Sequence, residues 1–353
     1  MKSFSLWFLT LPLAAQSFDP GPMPTRELFP LELVPMVYQP IAPQPVGEGR
    51  WQISFHSERG NVFEFSDVIK SMPRPAPNTR FHLDRAYWDQ YAAAHANLGF
   101  VFWFDEEVLR HTVNLRYGIT PTTDVFIETA WLSHTGGTLD RTIEEFHSAT
   151  GFKQFGRELV DRNQLVVATM AKGKVTFYTD DPIRMKVQDP LVGIIHQFLS
   201  GPEGGLSFTA TAKPPLTTTY NTYRSGWDTQ VGLTGWYNDG GNHTWYGGVG
   251  YTNRGHGSAA FEDVGYTDEL GAHAGIRWRA TSRIQPFVQL YYLSGFAKAR
   301  EGATFHRPAF EHDLGVHCWV TKDVALSFRY INNISHNENT MDMAFAVGLT
   351  ARL

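Results

Sequence analysis

The chain has 353 residues, of which 42% are hydrophobic, 14% aromatic and 18% charged, with a formal net charge of −5. An aromatic content this high excludes a disordered chain, and a negative balance is the wrong sign for a nucleic-acid-binding surface, so no nucleic-acid partner is expected. The only long apolar run lies at the N-terminus, which argues against a polytopic helical membrane protein.

Residues 1–17 have the layout of a secretory signal peptide. Lys2 supplies the early positive charge, Phe4 to Ala14 form a short apolar stretch, and Ala15-Gln16-Ser17 offers a small-residue exit, with cleavage expected after Ser17. The stretch is shorter than the ~20 residues a spanning helix needs, and no cysteine follows it to carry a lipid anchor. Residues 18–49 are rich in proline and poor in charge, and read as an extended periplasmic segment ahead of the first strand. The sole cysteine, Cys318, cannot form an internal disulfide.

The remainder, 50–353, is dominated by period-two alternation, the pattern of strands with two different faces. Val113, Leu115, Tyr117 and Ile119 alternate with Thr112, Asn114, Arg116 and Gly118; Ala272, Ala274, Ile276 and Trp278 alternate with His273, Gly275, Arg277 and Arg279. Ile284, Pro286, Val288, Leu290 and Tyr292 alternate with Gln285, Phe287, Gln289 and Tyr291, and the pattern ends with Phe345, Val347, Leu349, Ala351 and Leu353. Strands are predicted at 50–66, 99–118, 122–132, 190–199, 204–213, 226–238, 242–253, 268–280, 284–294, 309–320, 323–332 and 342–353. The first is interrupted by Gly60, so the count of about twelve is open between ten and fourteen.

Alternation alone fits a soluble sandwich as well as a membrane barrel; loop lengths decide. Short links such as Thr120-Pro121-Thr122-Thr123, Thr281-Ser282 and Thr321-Lys322-Asp323 alternate with long connections near 132–189, 254–267, 295–308 and 333–341. Tight periplasmic turns and long external loops are the habit of bacterial outer-membrane barrels, as is an even strand number. The fold expected is an all-β, antiparallel, up-and-down transmembrane barrel in the outer membrane of a Gram-negative envelope. Residues 84–97 and 139–147 have helical composition and fall in external loops, from which they could also turn inward and narrow the pore.

If the apolar parity faces lipid, then Arg116, Arg277, Arg279 and Arg329 point inward, together with Glu128, Asp313 and His317. Charges in such an interior need partners or water, so these residues would brace the barrel as ion pairs, line a constriction that favours anionic or polar solutes, or do both. Trp131, Tyr237, Trp245, Tyr251, Tyr292 and Tyr330 lie near predicted strand ends, where they would form interfacial girdles. None of the 14 histidines has a recognised metal-ligand spacing, and His312 and His317, five apart on one strand, face opposite ways. Glu144, His147 and Ser148 have the residue types of a hydrolase, but adjacent helix positions diverge and no Gly-x-Ser-x-Gly elbow occurs. No catalytic residues, metal or cofactor are expected.

Leu115-Arg116-Tyr117-Gly118-Ile119-Thr120 through Asp124-Val125-Phe126-Ile127-Glu128 resembles a phrase common in outer-membrane barrels. Gly136-Gly137-Thr138-Leu139-Asp140, Ile143-Glu144, Phe146-His147, Thr150-Gly151-Phe152 and Gly156-Arg157 resemble the barrel family named for domain of unknown function 3187, as do Ser225-Gly226-Trp227-Asp228 and Gly250-Tyr251-Thr252. One departure is Asp189-Pro190, where the family pattern has a Gly-Asp pair. The resemblance spans about 50–353 and implies fold and location; it brings no activity or catalytic residue. The final strand is similar to the signal read by the barrel-assembly machinery, with Leu353 where Phe is usual. That machinery and outer-membrane lipid are the partners implied; the solute is not specified. The functional reading is a passive pore or small-molecule uptake channel with a partly occluded, Arg-lined lumen and access controlled by the 132–189 loop. The alternatives are a non-conducting structural or surface-interaction barrel and, third, an outer-leaflet lipid hydrolase.

Overall fold

A computed structural model describes residues 18–33, 35–66, 69, 79–151, 153–217, 226–255, 264–298, 303–334 and 339–353. The expected signal segment 1–17, and Phe152 and Ser225 of the family motifs, lie outside the described residues.

Twelve antiparallel strands close a barrel. In chain order the elements are β1 (Trp51–Phe65), α1 (Arg85–Ala94), β2 (Phe100–Thr120), β3 (Thr123–Thr135), α2 (Asp140–Thr150), β4 (Val166–Ala171), β5 (Lys174–Thr179), β6 (Ile183–Val187), β7 (Leu191–Ser200), β8 (Gly204–Lys213), β9 (Asp228–Asn238), β10 (His243–Asn253), β11 (Glu269–Trp278), β12 (Ile284–Leu293), β13 (Ala309–Trp319), β14 (Val324–Asn333) and β15 (Met343–Arg352). Each barrel strand pairs with the next in sequence, β3 pairs with β7, and β1 closes the ring on β15 from Gln52 opposite Arg352 to Asn61 opposite Met343. The short strands β4, β5 and β6 belong to the external loop between β3 and β7.

Alternation follows from the pleat. On β12, Gln285, Phe287, Gln289 and Tyr291 are buried inside, while Ile284, Val288 and Leu290 are exposed on the outer wall. An exposed apolar belt of this kind, with Val249, Leu270, Phe328 and Val347 on it, is stable only against lipid. Tyr237 and Trp245 are half-exposed at the short-turn end and Tyr251 at the other, as expected of girdles. The molecule is a β-barrel of the bacterial outer membrane.

The 132–189 connection holds more order than the sequence reading gave it. Val166-Val167-Ala168-Thr169-Met170 pairs with the upper part of β2, Phe100–Asp105, and both of its faces are buried, so it carries no alternation to betray a strand. Both predicted helices form, and both stand outside the barrel wall. Asp84 caps α1 by accepting from the Tyr87 N–H (2.8 Å), and α1 buries Trp88 and Ala92 against outward-facing Val101 and Trp103. α2 ends at Gly151 with φ +78°, a left-handed stop that favours glycine.

Val249→Arg, at the middle of β10 on the lipid face, is expected to cost about 2–4 kcal/mol, the price of a midplane cation on a barrel wall. Denaturant titration of the refolded protein in lipid measures it; an unchanged midpoint would contradict the assigned parity.

Candidate functional site

The lumen is filled by the protein's own N-terminal segment. Residues 18–46 enter at the short-turn end, where Phe18 packs on Trp319 and Ala325, rise to a turn at residues 29–33, and descend to β1. This corrects the expectation that 18–49 extends through the periplasm. Proline content describes an extended chain but not its surroundings, and a barrel of this width can house one.

An extended chain enclosed in protein must satisfy every backbone N–H. Pro20, Pro22, Pro24, Pro30, Pro35, Pro40, Pro43 and Pro45 have none to satisfy. Several of the N–H groups that remain meet acceptors on inward-facing wall residues. Met23 donates to Gln289 Oε1 (3.0 Å), Met36 to Asp228 (2.7 Å), Tyr38 to Glu269 (2.8 Å) and Val46 to Asp124 (2.9 Å). Carbonyls are met as well: Arg116 donates to the Ala42 and Gln44 oxygens (3.0 and 2.7 Å), Gln188 to Leu33 (2.7 Å) and Ser207 to Pro43 (2.5 Å).

Charged side chains complete the match. Arg26 makes a two-pronged pair with Glu128 (3.0 and 2.7 Å), Asp19 pairs with Arg277, Glu32 pairs with Arg254 (3.0 Å), and Thr25 donates to Asp313 (2.5 Å). Tyr38 stacks along Tyr291 and bonds His273 through its hydroxyl (2.8 Å). Its ring lies against Gly250 and Gly271, where a β-carbon would overlap it, so these glycines carve the notch that receives the plug. At the outer end Leu28, Phe29, Leu31 and Leu33 enter an apolar roof that includes Phe102, Phe104, Phe296 and Phe305.

Six of the seven predicted lumen residues are buried inside: Arg116, Glu128, Arg277, Asp313, His317 and Arg329. Their partners differ from a bare constriction. Glu128, Arg277 and Asp313 hold the plug, Arg116 bridges Asp124 (2.6 Å) and the plug's carbonyls, and Arg329 pairs with Glu58 across the wall and with Asp313 (3.6 Å). His317 packs on Phe287. Arg279 is a correction: it has the inward parity but lies one residue past the end of β11, in the turn, and is exposed. Sequence reasoning missed Glu58, Asp124, Asp228 and Glu269, although their inward parity was there to be read, and missed the plug's Asp19, Arg26, Glu32 and Tyr38, which lack any periodicity.

The hydrolase trio is not assembled. The Glu144 carboxylate accepts from Arg80 (2.9 and 3.0 Å) and Arg162, and Ser148 accepts from Gln154 (3.0 Å). Burial opposes ionisation of Glu144, but the hydrogen bonds from Arg162 and Arg80 outweigh it and hold the carboxyl below its usual range. Among the described residues no cluster of three or more His, Cys, Asp or Glu side chains is arranged to hold a metal ion. His317 faces inward and His312 sits beside Tyr330 on the outer face, as their spacing requires.

The family described as Protein of unknown function (DUF3187) matches residues 61–353. The chain belongs to this family. Its fold is that of the COG4313 outer membrane channel from Pseudomonas putida F1, with a TM-score of 0.54 at 9% identity, covering 90% of this chain and 100% of that one. The NanC porin gives a TM-score of 0.42 at 8% identity (70% and 94% covered), and a Pseudomonas aeruginosa FadL homologue 0.39 at 8% (86% and 89%). No curated protein sequence matches the chain.

Arg26→Ala would strand Glu128 inside the barrel, and removing one partner of a buried pair costs about 3–5 kcal/mol. Amide hydrogen exchange across residues 23–39 is expected to accelerate strongly in this variant and in Gly271→Val, which fills the Tyr38 notch, while exchange in β9–β13 stays slow. Uniform acceleration throughout would mean that the segment is not a separable plug.

Proposed function

We propose that this member of the family is a gated channel for uptake of a small solute across the outer membrane, and that the segment 18–46 is its gate. The observation that carries the reading is the wall's inner surface: carboxylates, arginines and a glutamine spread along its length and met by a segment that enters from one end. Polar contacts and ion pairs between plug and wall can be exchanged for water when the segment withdraws. Small voids between the two, one of about 80 Å³ between the prolines of the rising leg and Ser54, His56 and Asn114, leave water room to enter. With the plug displaced, Arg116, Arg277 and Arg329 would face a lumen also lined by Glu58, Glu128 and Glu269, a mixed interior suited to polar solutes rather than to anions alone. The loop between β3 and β7 shapes the external vestibule and is not the gate.

A second reading has its own support. The apex residues Leu28, Phe29, Leu31 and Leu33 are fully or almost fully buried in the apolar roof, and a plug anchored at both ends suits a closed structural barrel. Planar-bilayer recordings separate the two. The intact protein is expected to be silent or to open briefly, and a variant lacking residues 18–46 to conduct steadily with little ion preference. A deletion variant that is folded and silent would remove the channel reading and leave the structural one.

A further inference from the structure

The barrel's closing seam carries a second site, on the opposite side of the wall from the plug. β15 begins at Met343, opposite Asn61, whereas β1 runs on to Phe65, so the wall is notched where its first and last strands meet. A cavity of about 440 Å³ occupies the notch, within the ~300–1,000 Å³ typical of small-molecule sites. Phe63, Phe65 and Trp103 form its side, the last two stacked 4.8 Å apart. These residues share the lipid-facing parity of their strands. So does Tyr330, which lines the lower edge and packs on half-exposed Phe345 of the belt (5.6 Å). The cavity is therefore continuous with the membrane-facing surface.

Its polar floor is an ion-paired network. Arg157 lies over the Phe63 ring (4.5 Å), pairs with Asp140 (3.2 Å) and Asp342, and donates to Asn61 (2.6 Å). At the mouth, burial and then the Arg157 cation hold the His147 imidazole below its usual range, so it is neutral at pH 7. The site thus offers a largely apolar surface, with Glu64 and the exposed Glu158 as the further carboxylates on its border. Phe146 and Phe155 are each more than half exposed at the opening. Phe155 has φ +55°, a left-handed conformation that a bulky residue adopts only when held there.

We propose that this notch binds an acyl chain of a lipid from the surrounding outer leaflet, entering sideways between Tyr330 and Phe155. The proposal stands apart from the channel reading, since the site lies outside the lumen and requires no movement of the plug.

The test uses the protein in phospholipid nanodiscs doped with a phosphatidylcholine bearing a mid-chain diazirine. After illumination, label is expected on Phe63–Phe65, Trp103 and Phe146–Phe155, which a chain lying free in the leaflet does not reach. Asn332→Trp and Met343→Trp, which fill the notch, should each abolish that label while leaving labelling of the belt around Val249 and Leu270 intact; gel mobility of the unheated protein verifies that both variants fold. Label confined to the belt, label on the notch that both tryptophan variants leave unchanged, or label on the notch only from added free fatty acid carrying the same diazirine would each overturn the proposal.

Discussion

The structure turns on how an extended polypeptide can be buried inside a barrel. A helix satisfies its own backbone and a strand pairs with its neighbour, but the described residues of 18–46 form neither, and enclosed N–H and C=O groups without partners are costly. The chain meets this in two ways. Proline deletes donors along both legs of the segment, and the wall presents acceptors where donors remain, with Gln289, Asp228, Glu269 and Asp124 each receiving one plug amide. The polar inner face of the barrel is therefore organised around the plug as much as around solvent.

That organisation decides how the interior charges should be understood. Seen alone, Arg116, Arg277 and Arg329 suggest an anion-selective ring. Seen with their partners, Arg277 is matched by Asp19 of the plug, Arg329 by Glu58 and Asp313, and Arg116 by Asp124. Some of these pairs lie within the wall and some cross to the plug. On the proposed withdrawal of the segment, the first kind would survive and brace the barrel, and the second kind would be broken. Glu128 and Arg277 are the members whose partners would leave, so they are the charges that a passing solute would meet newly exposed.

The barrel was legible in the sequence because lipid outside and polar atoms inside impose opposite demands at alternate residues, and all twelve strands fall close to their predicted spans. Even β1 was readable through its Gly60 interruption; that glycine accommodates Leu28 of the plug, against which a β-carbon would collide. β4 was not legible, since with both faces buried Val166–Met170 has no alternation. Arg279 was misplaced because parity specifies a face but not where a strand stops. The plug was hidden for a deeper reason: its sequence is shaped by a surface assembled from strands far along the chain, and proline-rich composition is shared by tails in solvent. The inward glycines Gly250 and Gly271 were the available hint, as a pore lined for solute has no need to remove side chains at one height.

The two faces of the same wall then carry different kinds of incompleteness. On the inside, strands β9–β13 present polar groups that the plug helps to satisfy, among them Asp228, Tyr246, Glu269, Gln289 and Asp313. On the outside, the unequal lengths of β1 and β15 leave an apolar notch at the one pairing that joins the ends of the chain. The upper part of β1 pairs with β2 as far as Phe65 opposite Trp103, beneath the external layer, whereas β15 begins only at Met343. Phe63 shows the linkage: its amide donates to Asp342 (3.1 Å) in the connection that leads into β15, and its ring carries Arg157 from the external loop. The external loop is thus fastened to the barrel at its closing seam, and the notch is bounded by the residues that do the fastening. A chain held there would touch the loop and the seam together, while the plug, on the inner face, would be reached only through the strands between them.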